Sequence, residues 1–485
     1  MKHDIIIIGG GLVGCAVARL LSAYDAKIAL LERGADVAEG ASKANSGIVH
    51  AGFDAKPGTL KAQLNVRGAD MYEALCHELD VPFDRCGALV AAFDAAGRET
   101  LQTLLAYAAQ NGVRDVRIIE RTEVLAMEPC INAEVECALY APTSGITSPY
   151  ELAFALADHA AVNGVSFHFD TEVAEIQAQE QGFCLKTNRG DYFARMIVNC
   201  AGVDSARLHN FLSEKTLSIV PRKGEYYLLD REGLPPFTHT VFQTPTRMGK
   251  GVLVSPTVHG NVLLGPTAHD ITDSSDVSTT ADAMAEVLEK SKITWPTLNQ
   301  SKVITTFAGI RAHAAHDDFV VGSVAGASGA YEAVGIESPG LTAAPAIAEL
   351  LCALIVDENG LSPKPEWKPA QRREKPFSAM TDTERNEAIA RDPEYGGIVC
   401  RCEQVTEAEV RAAIRRPIGS RTIDGIKRRT RAGMGRCQGG FCCPRVLEIL
   451  AEELRLSPME ITKNGGRSVL LTGTLESAAK EADSQ

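Results

Sequence analysis

The sequence predicts an α/β protein: a nucleotide-binding domain with an inserted, mainly antiparallel domain, followed by a small α-helical C-terminal domain. Three observations indicate this organisation. A glycine-rich β-α-β pattern opens the chain, and short strand-like segments separated by turn residues fill residues 217–310. Five of the 13 cysteines lie within residues 400–443. A chain of 485 residues is long enough for about three domains.

Composition and charge exclude several classes of protein. Hydrophobic residues make up 45% and charged residues 23%, as in a globular protein, which excludes a mainly disordered chain. The net charge of -13 argues against nucleic-acid binding, because phosphate contacts need a basic face. We expect no transmembrane segment, because no apolar run approaches about 18 residues. The odd, scattered cysteines do not indicate a secreted disulfide framework, so we expect a cytoplasmic protein.

The first thirty residues contain a dinucleotide-binding pattern. The unit comprises a strand at Ile5–Ile8, a helix at Leu12–Leu21 and a second strand at Ala26–Leu31. Gly9 allows the tight turn, Gly11 lets the backbone approach a pyrophosphate, and Gly14 lets the helix pack against the strand. Glu32 ends the second strand, where it can accept hydrogen bonds from a ribose hydroxyl. An ordinary glycine turn before a helix is the alternative.

The next segment, residues 40–52, is small, polar and rich in glycine, so it can run close to a flat ligand. Its Asn45-Ser46-Gly-Ile-Val-His50-Ala-Gly motif resembles the FAD-dependent amino-acid-oxidase-like superfamily, which includes glycerol-3-phosphate dehydrogenases and L-2-hydroxyglutarate oxidases. The resemblance implies a Rossmann-like FAD-binding domain and FAD rather than NAD as the cofactor. It also places Ser42, Asn45 and Ser46 at the cofactor.

The same resemblance implies further cofactor contacts along the chain. The backbone near Val173 is expected at the adenine end of FAD, and the Ala201-Gly202 turn at the pyrophosphate. Backbone amides at the start of a helix are expected near the flavin ring, because a helix N-terminus favours negative charge. These amides belong to Gly340, Leu341 and Thr342.

Two residues are the leading candidates for substrate chemistry. Arg311 follows a predicted strand, Val303–Ile310, and its planar guanidinium suits a carboxylate or a phosphate. A structural salt bridge is the alternative for Arg311. His50 is a candidate base for a secondary alcohol, because its pKa lies near neutral pH; it could equally hydrogen-bond the flavin or a carbonyl. Tyr226 and Lys250 are weaker candidates.

The choice of substrate stays open between two anionic alcohols. Many glycerol-3-phosphate dehydrogenases of the superfamily carry a lysine where this chain has Ser338-Pro339-Gly340. The missing lysine favours a 2-hydroxy acid, and glycerol 3-phosphate is the alternative. An amine dehydrogenase of the amino-acid or opine type is a further alternative.

The C-terminal cysteines are spaced as metal ligands. Cys400 and Cys402 form a C-x-C pair, and Cys437 and Cys442 form a C-x4-C pair. Four thiolates from two loops suit a [2Fe–2S] cluster or zinc. The segment resembles the bacterioferritin-associated-ferredoxin-like [2Fe–2S] domain, which implies these four cysteines as cluster ligands, with zinc less favoured. Cys443 is adjacent and is expected to be spare, and a C-x5-C pair of Cys437 with Cys443 is the alternative.

We therefore expect a FAD-dependent dehydrogenase that acts on a small anionic substrate and releases electrons through the cluster. The resemblance implies that a second flavoprotein or iron–sulfur subunit accepts them, not oxygen, and any membrane association would be peripheral, through that partner. A non-enzymatic metal-delivery or docking role for the C-terminal domain is the alternative. The expected divisions are an oxidoreductase unit at 1–356 (cofactor parts at about 1–80, 144–216 and 303–356, substrate parts at about 81–143 and 217–302), a linker at 357–397, a [2Fe–2S] domain at 398–455 and a tail at 456–485.

Overall fold

The computed structural model describes residues 2–233, 237–245 and 251–473. Contacts divide the chain into two units. The first unit contains Met1–Glu32 and Val37–Gln371, and the second contains Arg33–Asp36 and Arg372–Gln485. Lys250, one of the weaker substrate candidates, lies outside the described residues.

The helices of the first unit are α1 Leu12–Leu21, α2 Leu60–Leu79, α3 Ala95–Asn111, α4 Arg121–Met127, α5 Pro149–Val162, α6 Ser205–His209, α7 Ala281–Thr294 and α8 Gly340–Asn359. Its strands are β1 Lys2–Ile8, β2 Ile28–Leu31, β3 Ile48–Val49, β4 Phe83–Asp84, β5 Ala88–Ala92, β6 Arg117–Glu120, β7 Cys137–Ala141, β8 Gly145–Thr147, β9 Ser166–His168, β10 Val173–Gln179, β11 Gly182–Thr187, β12 Gly190–Asn199, β13 Ile219–Leu229, β14 Thr240–Gln243, β15 Leu253–Pro256, β16 Val262–Gly265, β17 His269–Asp270, β18 Val303–Ala314, β19 Val320–Ser323 and β20 Ala330–Val334.

The first sheet carries the predicted β-α-β unit. Its order is β10-β11-β12-β1-β2-β9, and β20 pairs with the end of β12. Strand β1 runs parallel to both β2 and β12, and its residues Ile5–Ile8 are buried, as expected for a strand inside a parallel sheet. The carboxyl ends of these strands therefore meet near the glycine-rich turn that follows β1.

The second sheet is mainly antiparallel, as the sequence predicts. Its order is β17-β13-β16-β15-β14-β5-β7-β6, and β18 runs along the whole of β13. The pairing of β14 with β5 is parallel, and it joins the strands of residues 88–141 to those of residues 219–314. The two segments predicted as separate substrate parts thus share one sheet and its cores.

Strand β18 differs from its prediction. It continues to Ala314, so Arg311 lies within the strand and not after its end. The cause is long-range pairing, because β13 offers partners as far as Ile219, and Arg311 faces Arg222 across the ladder.

Helix α8 is a core helix of the first unit. Among the described helices it is the one that is long and apolar enough to cross a membrane by those two measures, with 56% of the apolar stretch buried. It packs against α1 and α2. A Cβ added at Gly68 of α2 would lie 2.0 Å from the Thr342 carbonyl oxygen, so α2 approaches the start of α8 very closely.

The second unit has strands β21 Ile398–Cys400 and β22 Val405–Thr406 and helices α9 Asp382–Arg391, α10 Glu407–Arg415, α11 Ile423–Thr430 and α12 Cys443–Leu454. Its core includes Val410, Ile426, Ile449 and Ile461. Asp36 is buried and accepts a hydrogen bond from Arg429 Nη2 at 2.8 Å. The described part of the tail has a single isolated bridge, between Thr462 and Val469.

Candidate active site and cysteine centre

The surroundings of the three glycines after β1 show why each position has no side chain. A Cβ at Gly9, whose φ is +105°, would lie 2.5 Å from the Cys200 carbonyl oxygen. A Cβ at Gly14 would lie 2.0 Å from the Gly9 carbonyl oxygen. Gly11 differs, because its Cβ would meet only the Ser42 hydroxyl, at 3.3 Å. Gly9 and Gly14 are thus required by the fold, whereas Gly11 leaves a space beside the helix N-terminus that suits a pyrophosphate.

Glu32 lies beside this turn. Its side chain is buried, and its Oε2 accepts a hydrogen bond from the Gly10 amide at 2.6 Å. The Glu32 carbonyl accepts from the Thr171 amide at 2.9 Å, which brings the start of β10 at Val173 to the same edge of the sheet. Ala201 and Gly202 follow Cys200, the residue that contacts Gly9. The structure therefore brings the expected adenine, ribose and pyrophosphate residues together.

The loop after residue 40 is shaped by its own side chains. Ser42 Oγ accepts a hydrogen bond from the Leu12 amide at 2.9 Å, so it lies at the N-terminus of α1. Asn45 donates to the carbonyls of Ala41 and Ser42 at 3.1 Å and accepts from the Gly47 amide at 2.9 Å. Asn45 therefore holds the loop in shape, and Ser46 lies half-buried in the same turn.

His50 lies next to the start of α8. Its amide donates to Thr342 Oγ1 at 2.9 Å, and the side chain of His50 is buried with its ring 5.7 Å from that of Phe242. The hydroxyl of Tyr72 donates to the Leu341 carbonyl. The residues expected at the flavin ring, from the loop and from α8, are thus in direct contact.

Asn65 supports His50 and was not identified from the sequence. It is fully buried in α2 and donates to the His50 carbonyl at 3.3 Å. A polar residue between Leu64 and Val66 on the buried side of a predicted helix was the available signal, because buried amides need hydrogen-bond partners.

Arg311 lies in β18 of the second sheet, the sheet formed by the predicted substrate parts. Its Nη2 donates to the Thr267 carbonyl, and its Nε is buried without a hydrogen-bond partner. Two residues earlier, a Cβ at Gly309 would lie 2.0 Å from the Ala44 carbonyl oxygen, so β18 passes directly over the cofactor loop. Burial raises the pKa of the nearby Tyr226, and the charge of Arg311 opposes that rise.

Other basic side chains of the first unit near the predicted substrate parts form ion pairs with carboxylates. Arg222 pairs with Asp270 at 2.6 Å, and Lys223 pairs with Asp276 at 2.8 Å. Lys61 lies 2.8 Å from Glu337, whose other partner is His313 at 2.8 Å. Within the described ranges Arg311 has no such carboxylate, so its guanidinium and orphaned Nε–H are suited to an external anion.

The four predicted cysteine ligands meet in the second unit. The sulfurs of Cys402 and Cys437 lie 3.7 Å apart. The pKa of Cys400 is lowered to about 6, first by a hydrogen bond from the Cys442 thiol and, against burial, by the amides of Gly433 and Glu403. A Cβ at Gly435 would lie 2.2 Å from the Cys402 Cβ, so only glycine lets the two loops come this close.

Backbone amides point at the sulfurs, as a thiolate-ligated cluster requires. Burial opposes ionisation of Cys437, but amides of Phe441 and Gly439 outweigh it, and the pKa of Cys437 is lowered. The pKa of Cys443 is raised, first because of burial and then because of Asp424. The pKa of Cys442 is raised as well, first by its hydrogen bond with Cys400, and against the amide of Cys437, burial and the Cys437 thiol raise the pKa of Cys402. This donor set fits a [2Fe–2S] cluster held by the first four thiolates, with Cys443 outside it.

Comparisons with known proteins agree with both sites. A family model described as FAD dependent oxidoreductase matches residues 4–354, and one described as BFD-like [2Fe-2S] binding domain matches residues 398–452. A glycerol 3-phosphate dehydrogenase from Caloramator mitchellensis is 44% identical over 475 residues, covering 98% of this chain and 99% of the relative.

Two further relatives match part of the chain. An L-2-hydroxyglutarate dehydrogenase from Escherichia coli O17:K52:H18 is 31% identical over 272 residues, covering 55% of this chain and 64% of the relative. The structure of dithionite-reduced L-alpha-glycerophosphate oxidase from Mycoplasma pneumoniae with FAD bound matches with a TM-score of 0.74 and 31% identity, covering 77% of this chain and 100% of that one. The chain therefore belongs to the FAD-dependent oxidoreductase family, as a dehydrogenase of CH–OH substrates whose cofactors are FAD and a [2Fe–2S] cluster.

Proposed function

We propose that this protein is a cytoplasmic glycerol-3-phosphate dehydrogenase. The observation that carries the proposal is Arg311, a cation beside the cofactor loop that lacks an ion-pair partner among the described residues. The relative named for glycerol 3-phosphate supports the substrate, because it shares 44% identity over nearly the full length of both chains. The absent lysine at residues 338–340 favoured a 2-hydroxy acid; the full-length relative outweighs that single position.

The chain's own residues have distinct roles in this proposal. Arg311 holds the phosphate through charge-assisted hydrogen bonds. His50 accepts the proton of the secondary hydroxyl, and the contacts to Thr342 and Asn65 fix its position. The amides of Gly340, Leu341 and Thr342 place the positive end of α8 toward the ring. FAD, when bound, supplies the acceptor for the hydride that leaves the substrate carbon.

Electrons leave through the second unit in this proposal. Cys400, Cys402, Cys437 and Cys442 hold the cluster, and the lowered pKa values of Cys400 and Cys437 favour ligation as thiolates. The [2Fe–2S] cluster supplies a one-electron carrier. We propose that the final acceptor is a separate flavoprotein or iron–sulfur protein.

A 2-hydroxy acid is the second candidate substrate. One specific observation favours it: the turn before α8 reads Ser338-Pro339-Gly340, without a lysine to help neutralise a phosphate dianion. A carboxylate carries one charge, and Arg311 alone can pair with it in a bidentate manner. Amine oxidation loses support, because the relatives that cover most of the chain are named for hydroxy substrates.

Anaerobic stopped-flow mixing tests the proposal. Purified holoenzyme is mixed with glycerol 3-phosphate, L-2-hydroxyglutarate or an amino acid such as L-proline, and bleaching of the flavin absorbance is followed. We expect glycerol 3-phosphate to bleach the flavin fastest. Faster bleaching by the hydroxy acid would establish the second candidate, and bleaching by the amino acid alone would overturn both.

A further inference from the structure

Helix α6 follows soon after the Ala201-Gly202 turn, where the pyrophosphate is expected, and two buried side chains hold it to that turn. The side-chain amide of Asn199 donates to the Ser205 carbonyl at 2.8 Å, and its Oδ1 accepts from the Ala201 amide at 3.3 Å. The Ser205 hydroxyl donates to the Gly202 carbonyl at 2.6 Å. Asn199 and Ser205 are both fully buried, so the turn and the start of the helix form one rigid piece.

The C-terminal end of α6 is held by the first sheet. His209 is buried, with its Nδ1 2.8 Å from the Glu332 carboxylate of β20 and its Nε2 2.7 Å from the Lys215 carbonyl. Leu208 is also buried and lies in the same hydrophobic core as Val173. Both ends of this short helix are therefore fixed relative to the sheet that carries the predicted dinucleotide-binding pattern.

Arg207 connects this anchored helix to the start of β10. Its Nη1 donates to the Ala174 carbonyl at 2.9 Å, and its Nη2 donates to the Val173 carbonyl at 3.1 Å. The register of pairing between β10 and β11 shifts between Val173 and Glu175, so Ala174 is the extra residue of a β-bulge. A bulge disrupts the hydrogen bonds of the ladder locally, and here the arginine fork supplies donors to the two carbonyls at the bulge.

Holding the two carbonyls also orients the amides of the same peptide units. A peptide unit is planar and trans, so its C=O and N–H groups point in opposite directions. The carbonyls of Val173 and Ala174 thus fix the amides of Ala174 and Glu175. Arg207 Nε lies 3.7 Å from Asp204 Oδ1, so protein groups engage the guanidinium at both of its ends. An effect of Arg207 on a cofactor therefore passes through the main chain that it holds.

We propose that Arg207 is a positioning residue for the adenosine half of FAD. By joining α6 to the bulge at Val173, it fixes the distance between the main-chain groups expected at the pyrophosphate and those expected at the adenine. Flavin mononucleotide (FMN) has no adenine, so this link favours the dinucleotide over the mononucleotide. The proposal concerns the binding of the cofactor, and it does not depend on which substrate the enzyme oxidises.

Binding measurements test this link without turnover. FAD is removed from the full-length protein by dialysis against bromide, and FAD, FMN and ADP are titrated into the wild type and into Arg207→Met. We expect the variant to bind FAD and ADP about tenfold more weakly than the wild type, because ADP carries the adenosine and the pyrophosphate. Its affinity for FMN should be unchanged. Unchanged affinities for FAD and ADP would overturn the proposal.

Two further variants complete the comparison. Arg207→Lys should recover part of the affinity for FAD and ADP, because an ammonium group can donate to a carbonyl but lacks the planar fork. Arg85→Met is the matched control, since Arg85 also donates to a main-chain carbonyl, that of Thr143 at 2.9 Å, and pairs with Glu73 at 3.1 Å. We expect it to bind all three nucleotides as the wild type does. A loss in Arg85→Met as large as in Arg207→Met would overturn the proposal.

Two further readouts separate positioning from a general loss of structure. The side chain of Arg207 is 42% exposed, so its replacement leaves no buried cavity, and the thermal unfolding midpoint of the FAD-free variant should stay close to that of the wild type. The absorbance spectrum of the FAD-saturated variant should equal that of the wild type, because the groups expected at the flavin ring are unchanged. A lower midpoint together with equal losses of affinity for FAD, ADP and FMN would show that Arg207 only stabilises the fold, and would overturn the proposal.

Discussion

Gly11 and Gly14 belong to one motif, but an added methyl group meets different surroundings at each. At Gly14 the methyl would clash with a backbone carbonyl at 2.0 Å, whereas at Gly11 it would contact a serine hydroxyl at 3.3 Å. We expect Gly11→Val to fold and to purify without FAD, and Gly14→Ala to fold poorly. The ratio of flavin to protein absorbance and the thermal unfolding midpoint measure the two effects. Full FAD occupancy in Gly11→Val would refute the assignment of the pyrophosphate site.

Arg311 provides the second test at the scale of single residues. A charge-assisted hydrogen bond is worth roughly 1.5–3 kcal/mol, so Arg311→Ala should lower kcat/KM by roughly 10- to 100-fold. Arg311→Lys should restore only part of the loss, because lysine lacks the planar fork. Arg222→Ala is the control, since Arg222 is already paired with Asp270. Equal losses in both variants would indicate that Arg311 is structural.

At the scale of elements, the buried residue His3 near the start of β1 couples the free energy of unfolding to pH. Burial, then the charge of Lys27, lowers the pKa of His3 to about 4, and burial also lowers the pKa of the adjacent His168. His3 is 6% exposed and its ring stacks on Tyr192 at 6.3 Å. The folded protein thus holds His3 neutral at a pH where the unfolded chain, with a histidine pKa near 6.5, binds a proton.

The direction of the pH effect follows from these proton counts. The unfolded state binds more protons than the folded state between about pH 6.5 and about pH 4. The contribution of neutral His3 to the free energy of unfolding is therefore complete above that range. It is lost as the pH falls through the range, by up to about 3 kcal/mol. Urea unfolding of wild type and His3→Phe, which keeps the stacked ring, should diverge more at low pH than at neutral pH, with the wild type losing stability relative to the variant. A constant difference would contradict the prediction.

Elements whose limits depend on neighbouring residues could be predicted from the sequence. Helix α2 has such limits, because Thr59 Oγ1 accepts a hydrogen bond from the Ala62 amide at its start and Asp80 adopts a left-handed conformation after its end. The end of β18 could not be predicted in this way. Its last residues are extended because β13 pairs with them, more than 80 residues away in the sequence. The alternation of polar and apolar residues in Arg311-Ala312-His313-Ala314 was the local sign.

The functional sites show the same contrast between features set by neighbouring residues and features set by distant parts of the chain. Gly14 meets the Gly9 carbonyl five residues earlier and Gly9 has a positive φ, so the cofactor turn followed from the motif. The contact of Gly9 with Cys200 lies far along the chain and did not. Asn65 reaches His50 only when α2 packs against the loop, and the motif carries no trace of that contact. That Arg311 lacks an ion-pair partner among the described residues likewise depends on where the acids of other strands lie, which the periodicity of the sequence does not indicate.

At the scale of the whole molecule, the two cofactors belong to different units, so their chemistry should be separable. Cys437→Ser removes a thiolate from the predicted ligand set, and we expect the cluster to be lost or strongly altered. Substrate should still bleach the flavin, because His50 and Arg311 belong to the first unit. Reduction of a protein acceptor should fall sharply. Iron analysis, EPR and stopped-flow absorbance measure these three effects on one preparation.

Cys443→Ser is the matched control for this separation. Cys443 opens α12 directly after the predicted ligand Cys442 and lies outside the C-x-C and C-x4-C pairs. We expect this variant to keep its iron, its EPR signal and its acceptor turnover. Loss of the cluster in Cys443→Ser, with retention in a Cys442→Ser variant, would show that Cys443 and not Cys442 is the fourth ligand. Intact acceptor turnover in Cys437→Ser would instead show that electrons leave the flavin without the cluster, and the second unit would then be structural.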